Sequence, residues 1–179
     1  MSTTPTRYHP ALVSLHWLLA ALIGLALVMG TFSLAQTPNA APEKLDALRG
    51  HMVVGFAIGA LMLVRLVLRL RTATPAPART GNTQLDALAK AAHVGLYVLV
   101  FGMAASGMGL ALMAGLPDIV FGHSGTALPE NFYGFLPRRV HGLLAKLLMA
   151  LVALHIAGAL YHQFVQRDGL MARMGFGKR

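Results

Sequence analysis

The chain has no cysteine among its 179 residues. This absence excludes disulfide bonds, catalysis by a thiolate, and zinc or iron–sulfur sites that depend on cysteine ligands. Any metal or redox chemistry must therefore use other donor groups, and the eight histidines are a large number for so apolar a chain.

Charge is also scarce, because only 12% of the residues are Asp, Glu, Lys or Arg and the mean hydropathy is +0.62. Soluble domains carry about 25% charged residues. The composition therefore excludes an ordinary soluble globular protein and an intrinsically disordered one. Hydrophobic residues make up 56% of the chain, which is typical of a protein that consists largely of membrane spans.

Four long runs contain almost no charge, and each offers the roughly 20 apolar residues that a membrane-spanning helix needs. We predict helices over 11–35, 50–70, 87–115 and 138–166. Segments with proline and glycine separate them, and the longest is an outer loop over 116–137. The sequence thus predicts an all-α integral membrane protein, an up-down four-helix bundle that forms a single domain over 1–179.

The basic residues are divided unevenly between the two ends of this bundle. One end carries Lys44, Arg49, Arg138 and Arg139, and the other carries Arg7, Arg65, Arg69, Arg71, Arg79, Lys90, Arg167, Arg173, Lys178 and Arg179. The positive-inside rule places the richer end, with both termini, in the cytoplasm. The net charge of +9 is then a topology signal, and no basic face with stacking aromatics favours nucleic acid as a partner.

The first run also has to be weighed as a cleaved signal peptide, because it ends in Ser33-Leu34-Ala35. The apolar core of a signal peptide is only about 7–15 residues long. The run exceeds that length, so a membrane span is the preferred interpretation.

Histidines inside membrane spans are costly and are functional candidates by default. The eight are His9, His16, His51, His93, His123, His141, His155 and His162, and all except His9 and His123 fall within or at the ends of predicted spans. His141 and His155 are 14 residues apart on one helix, which is close to four whole turns. They share a face and lie about 21 Å apart along the helix axis.

Each of these two histidines has a candidate partner at its own depth on another helix. His16 is level with His155 near the cytoplasmic side, and His51 is level with His141 near the opposite side. Two stacked pairs of imidazoles facing each other across a bundle suit iron porphyrins held on both axial sides. Interhelical hydrogen bonding is the plain alternative, and His162 and, more weakly, His93 compete as ligands.

Other metal sites fit the sequence less well. Zinc sites need three or four ligands, often close in sequence, and no such spacing is present. A non-haem iron site would need a carboxylate beside two histidines, whereas the predicted spans contain neither Asp nor Glu.

Several basic residues near the predicted span ends can be interpreted in more than one way. Lys44, Arg49, Arg138 and Arg139 lie near the outer histidine pair, where they could attract an anionic donor, anchor the interface or pair with haem propionates. Arg65 and Arg69 share a face and are expected to extend to the cytoplasmic headgroups or to pair with propionates of the inner haem. Lys146, within the fourth span, is expected to reach the outer interface, and Trp17 to pack on the haem or to anchor at the interface.

At this level of detail the chain resembles the bacterial cytochrome b561 family, which consists of four-helix di-haem membrane cytochromes. The matching segments are Ser14-Leu15-His16-Trp17-Leu18, Leu48-Arg49-Gly50-His51, Ala92-His93-Val94-Gly95-Leu96-Tyr97, Val140-His141-Gly142-Leu143-Leu144-Ala145 and residues 154–162. The resemblance implies two b haems, with His16 and His155 as axial ligands of the cytoplasmic-side haem and His51 and His141 as ligands of the periplasmic-side haem. His162 lies near the cytoplasmic interface by its position on the fourth span, so a solvated role is expected, such as proton delivery or a hydrogen bond to a quinone or a haem carboxylate.

The resemblance also implies a function in the bacterial inner membrane. In length and organisation the chain is most similar to members of the family that pass electrons from superoxide to ubiquinone, so an oxidoreductase of that type is expected. A b-type subunit that serves a partner oxidoreductase, or exchanges electrons with a periplasmic redox protein, is the alternative. A haem-free membrane protein such as a small transporter is disfavoured, because polar residues are scarce in the spans.

Overall fold

The computed structural model describes residues 5–122 and 124–175. Expectations for His123, Lys178 and Arg179 therefore concern residues outside the described part. Within it, every regular element is helical. The main helices are α1 (Pro10–Val28), α2 (Glu43–Arg71), α3 (Thr83–Met113), the short α4 (Leu116–Val120) and α5 (Leu136–Tyr161).

Two of the long helices change pitch near their ends. α1 continues as a π-helical segment over Met29–Leu34, and α5 continues as another over His162–Gln166. A 3₁₀ turn over Leu170–Met174 follows. Wider π-helical turns are often found at functional sites, and both segments here lie beside histidines discussed below.

Four helical stretches are long and apolar enough to cross a membrane. They are Pro10–Leu34, Glu43–Arg71, Thr83–Met113 and Leu136–Gln166. Large apolar side chains such as Phe32, Phe56 and Leu70 are exposed on the outside of the bundle, as expected of a surface that lipid covers. The prediction of an all-α protein with four spans is confirmed.

The structure has helix at two places that the apolar runs do not cover. α2 begins at Glu43 rather than at 50, and the segment 116–137 contains the helix α4. The first turn of α2 contains Glu43 and Asp46, whose negative charges interact favourably with the positive end of the helix dipole. Apolar runs report only the part of a helix that lies in lipid, so they miss charged turns that extend beyond it.

The helix starts are capped by local residues. His9 Nδ1 accepts a hydrogen bond from the Ala11 N–H at 3.2 Å, and Pro10 occupies the first turn of α1. The Asn82 side chain accepts from the N–H groups of Gln84 and Leu85 at the start of α3. His9 therefore has a structural role at the helix terminus.

Within the part of the chain that the structure describes, each long helix packs closely only against the long helix before or after it in the order α1, α2, α3, α5. Close backbone packing joins α1 to α2, α2 to α3 and α3 to α5. Among the described residues, α5 has no comparable backbone packing against α1 or α2. One apolar cluster, around Leu19, Ile58, Met62, Val100 and Leu148, holds the middle of the bundle.

The two ends of the bundle differ in how they are covered. The inner end, defined as the end with both described termini, is closed by the chain tail, where Trp17 Nε1 donates to Met174 O at 2.9 Å and Tyr8 N donates to Arg173 O. The outer end, defined as the opposite end, is covered by α4 and a second apolar cluster that includes Leu48, Ala111, Leu116, Val120 and Phe132.

Candidate functional site

The structure brings His51 on α2 and His141 on α5 together at the outer end. Their ring centres are 6.2 Å apart and the ring planes are inclined by 76°. Glycines close to the rings permit this approach, since a Cβ built at Gly30 would lie 3.4 Å from His51 Cε1 and one at Gly107 would lie 3.2 Å from His141 Cε1. The π-helical end of α1 and the middle of α3 therefore flank this pair.

A second pair lies at the inner end, where His16 on α1 faces His155 on α5. Their ring centres are also 6.2 Å apart, with an interplanar angle of 65°. The Arg65 guanidinium donates to Leu12 O at 2.6 Å and so ties α2 to the first turn of α1, one turn before His16. The pairing predicted from helical periodicity and depth is thus present in the fold.

Both pairs have a geometry that fits a metal ion held between two imidazoles. Metal–nitrogen bonds of about 2 Å on both sides of one ion place the two ring centres roughly 6 Å apart. The ligand-bearing helices α1 and α2 lack close backbone packing against α5, which leaves width for a flat macrocycle between them. An iron porphyrin with two axial histidines therefore fits the donor set and the spacing.

Glycines add a smaller piece of support. A Cβ built at Gly55, one turn after His51, or at Gly24 would meet no described atom within 4 Å. The Cβ position at Gly59, in contrast, lies 3.4 Å from Ala104 Cβ. Gly59 therefore serves the packing of α2 on α3, whereas Gly24 and Gly55 border open space.

The donors come in pairs and not in larger groups. Within 5–122 and 124–175, no three side chains of His, Cys, Asp or Glu converge on a point that could hold a metal ion.

His93 lies beside the inner pair, next to His155, but it is not one of the two rings that face each other there. Its ring centre is 5.3 Å from that of His155, the side chain is exposed, and Nδ1 is 2.7 Å from Ala89 O. Since a carbonyl can only accept, Nδ1 carries the proton in this contact and Nε2 is the free nitrogen. His93 is therefore held by its own helix, next to His155.

His162 has a partner that sequence reasoning missed. Its Nδ1 lies 2.6 Å from Asp168 Oδ2, and its side chain is only 12% exposed. The contact arises because the chain reverses after α5, with Arg167 and Gly169 both at positive φ (50° and 69°). A glycine just past a helix end is the available signal for such a reversal, and Gly169 could have indicated it.

The same contact sets the ionisation of Asp168. Burial raises the pKa of Asp168, but hydrogen bonds from the His162 ring and from the Leu170 N–H lower it by more. The net pKa lies below the usual value for an aspartate. The carboxylate is therefore ionised near neutral pH, and it accepts a hydrogen bond from the Nδ1–H group of His162.

The basic residues of the outer end differ in how firmly they are engaged. Arg49 donates to Val120 O and forms an ion pair with Asp46 at 2.6 Å, so it fastens α4 to α2. Lys44 is buried, and its Nζ donates to Leu34 O and Thr37 O, each at 2.6 Å. Arg139 donates to Tyr133 O, and Arg138 lies over the Tyr133 ring at 5.6 Å.

The structure also places Arg69, Lys146 and Trp17. The Arg69 guanidinium lies 5.1 Å from the centre of the Tyr8 ring at the inner end. Lys146 is on the exposed side of α5, which agrees with an extended side chain at the lipid surface. Trp17 is 5.2 Å from His16, ring centre to ring centre, while its N–H holds the chain tail.

Sequence comparison identifies the group to which this arrangement belongs. The profile of the prokaryotic cytochrome b561 family matches residues 7–177, which is nearly the whole chain. The chain belongs to the prokaryotic cytochrome b561 family. It is accordingly a multi-pass bacterial membrane protein of electron transfer, and membership of this family implies b-type haem.

The sequence identity between this chain and individual curated proteins is low. The chain is 28% identical to cytochrome b561 homolog 2 of Escherichia coli, over 97% of this chain and 93% of that protein. It is also 28% identical to the probable superoxide oxidase CybB of Yersinia pestis, covering 97% and 98% of the two chains. Cytochrome b562 of Cereibacter sphaeroides is 28% identical over 90% of each chain.

Proposed function

We propose that the protein is a di-haem b-type cytochrome that carries electrons between superoxide outside the bacterial inner membrane and the ubiquinone pool. His51 and His141 would bind the outer haem axially, and His16 and His155 the inner haem. The observation that carries this proposal is the equal 6.2 Å separation of two imidazole pairs on helices that do not otherwise pack closely.

The bound haems supply one-electron redox chemistry, which no side chain of this cysteine-free protein provides. The protein's part is to position them and to control access. With two imidazoles holding it at each site, a haem iron would have no free position for oxygen, so the sites would favour electron transfer over oxygen binding. The 14-residue spacing of His141 and His155 keeps the two sites on one face of α5, about 21 Å apart along its axis.

The orientation follows from charge. The inner end holds the larger number of basic residues, so both termini are placed in the cytoplasm and the outer end in the periplasm. The connections from α1 to α2 and from α3 to α5 then face the periplasm, and they contain Lys44 and Arg138.

The outer end suits an anionic donor. Arg138 is half-buried and Arg139 exposed, and the buried Lys44 donates its hydrogen bonds to neutral backbone carbonyls. Positive charge at a cleft raises the encounter rate of anions such as superoxide. Each superoxide ion loses one electron and becomes dioxygen, so two of them balance one quinone that gains two electrons and two protons.

The inner end suits the quinone and its protons. The largely buried His162 ring has its Nδ1 proton directed to Asp168. Nε2 can therefore accept a hydrogen bond from a quinol hydroxyl, and only when it carries a second proton can it donate that proton to a quinone oxygen. Ionisable side chains at a membrane interface are suited to such proton delivery.

The alternative is a b-type electron-transfer subunit that serves a partner enzyme. Two relatives, cytochrome b561 homolog 2 and cytochrome b562, are named as cytochromes without a substrate, which is compatible with this alternative. The two functions differ in what the purified chain does alone, because a subunit without its partner would not reduce quinone with superoxide.

The first test is a dithionite-reduced minus oxidised spectrum of detergent-purified protein, with a haem count per chain. Two low-spin b haems per chain are expected, and a colourless protein from haem-replete cells would refute the cytochrome. Superoxide, generated enzymatically, should then reduce the haems within seconds and reduce added ubiquinone analogue. Two haems without quinone reduction would favour the partner-dependent subunit.

Electrostatic attraction of the donor has its own matched test. Arg138→Gln should slow haem reduction by superoxide several-fold at low salt and should weaken the dependence of the rate on ionic strength. Arg79→Gln, at the inner end, removes the same charge and should leave the rate unchanged. Equal effects of both substitutions would show that only net charge matters.

A further inference from the structure

Ser106 lies on α3 at the point where α3 packs against α5. Its Oγ is 3.0 Å from His141 Nδ1 and 3.1 Å from Met103 O. A carbonyl can only accept, so the single hydroxyl proton is directed to Met103 O. The lone pairs of Oγ then face His141, and Nδ1 must carry the ring proton for this contact to be a hydrogen bond.

This contact selects one tautomer of His141. With the proton on Nδ1, Nε2 has the free lone pair, which is the form in which an imidazole binds a metal. The absence of a side chain at Gly107 lets the α3 backbone lie close against this ring, since a Cβ at that position would be 3.2 Å from His141 Cε1. α3 thus fixes both the tautomer and the rotation of a ring that belongs to α5.

The other three histidines of the two pairs lack an equivalent support. His51 Nδ1 is buried and has no hydrogen-bond partner among the described residues. In the same part of the chain, no hydrogen bond is formed by the ring nitrogens of His16 or His155. The supported ring is therefore specific to one member of the outer pair.

We infer that Ser106 is a positioning residue that holds His141 as a ligand of the outer haem. Its hydroxyl makes the reduction potential of that haem lower than it would be without the hydroxyl. The inference rests on the proposed function. A hydrogen bond from the distal N–H of a ligating histidine orients the ring and raises its basicity. A more basic ligand stabilises the oxidised iron, so loss of the hydroxyl should make the outer haem easier to reduce.

The experiment is a spectroelectrochemical titration of the haem-loaded protein in detergent, with Ser106→Ala, Ser106→Thr and the control Ser14→Ala. Ser14 is an exposed serine on α1. In Ser106→Ala the ratio of reduced to oxidised outer haem at a fixed potential should rise about tenfold, which corresponds to about 59 mV for one electron. The inner haem should keep its potential, and Ser106→Thr and Ser14→Ala should behave as the wild type.

The outcomes separate this inference from the proposed function. A wild-type protein without two haems would refute the proposed function. Two haems in the wild type, with unchanged potentials in Ser106→Ala or an equal shift of both haems, would refute only the role of Ser106. If Ser106→Ala loses the outer haem, retention of that haem at the wild-type potential in Ser106→Thr supports the role, and its loss in both variants overturns it.

Discussion

His141 and His155 lie on one face of α5, and each ring centre is 6.2 Å from that of a histidine on a different helix. One helix thus contributes half of each pair, while α2 and α1 contribute the other halves. The two sites are consequently linked by the rigid body of α5, and a change in its tilt would alter both.

The assignment of ligands to haems predicts a pattern of loss. His51→Ala and His141→Ala should each remove the outer haem, and His16→Ala and His155→Ala the inner haem, so each single variant keeps one haem per chain. The double variant His51→Ala/His141→Ala should also keep one, because both changes affect the same site. Pyridine haemochrome assays give the count.

A crossed double variant supplies the opposite case. His16→Ala/His141→Ala should bind no haem, whereas His9→Ala, which changes only the cap of α1, should keep both. If His93→Ala or His162→Ala removed a whole haem while His155→Ala did not, the ligand set would have to be reassigned.

Crowding at His141 should disturb the outer haem alone. Gly107→Ala adds a methyl group 3.2 Å from His141 Cε1, so the ring or α3 has to move. We expect lower outer-haem occupancy or a shifted absorption band of that haem, with a destabilisation of about 1–3 kcal/mol from overpacking. Gly109→Ala, whose Cβ would lie 3.6 Å from Pro137, should leave the spectrum unchanged.

Lys44 should matter for stability more than its position near the interface indicates. Lys44→Met removes the donor for Leu34 O and Thr37 O, two carbonyls beyond the last turns of α1. Leaving buried acceptors unsatisfied costs about 1–3 kcal/mol each, and these two are partly buried, so the lower end of that range is expected. A fall in the thermal midpoint by several degrees is expected, measured by loss of helical circular dichroism.

The control for this change is Lys90→Met, which replaces an exposed lysine on α3. Its midpoint should stay within a degree or two of the wild type. If the two substitutions lowered the midpoint equally, the hydrogen bonds of Lys44 would not be the cause.

The contact between His162 and Asp168 predicts a pH dependence. The pKa of Asp168 is lower in the folded protein than in the unfolded chain, so its stabilisation is complete above the unfolded value of about 3.9 and is lost as the pH falls through the lower folded value. Asp168→Asn should therefore lower the free energy of unfolding at pH 7, and with it the thermal midpoint. The loss should be less than about 1 kcal/mol because the carboxylate is partly exposed.

In acid, the difference between Asp168→Asn and the wild type should shrink, because Asp168 becomes protonated in both states of the wild type. Midpoints measured from pH 5 down to about pH 2.5 would follow this convergence, because the stabilisation is lost only below about pH 3.9. A gap that widened towards low pH would contradict the assigned direction of the pKa shift.

The sequence was sufficient for the features that depend on one helix at a time. Apolar runs gave the four spans, and helical periodicity placed His141 and His155 on a common face. The partners at equal depth, His16 and His51, followed from counting residues along up-down helices. These features depend on helix geometry, which is almost independent of neighbouring chain segments.

Contacts between elements were not predictable in the same way. Asp168 reaches His162 only because Arg167 and Gly169 adopt positive φ, and Ser106 reaches His141 only because of the rotation of α3 against α5. The start of α2 at Glu43 lies outside the apolar run, since its first turn contains Glu43, Lys44 and Asp46, and Lys44 is buried only because the tertiary fold brings carbonyls to it. In each case the decisive interaction joins residues whose relative placement depends on tertiary packing.

The order of the helices along the chain has a consequence for assembly. Under the proposed assignment, α1 and α2 each present a single imidazole when they leave the ribosome, and α5, the last long helix to be made, brings the second ligand of both sites. Neither haem can gain both axial bonds until synthesis is nearly complete. Chains truncated before α5 should thus be discarded as haem-free, which gives the cell a simple check on whether the protein has been finished.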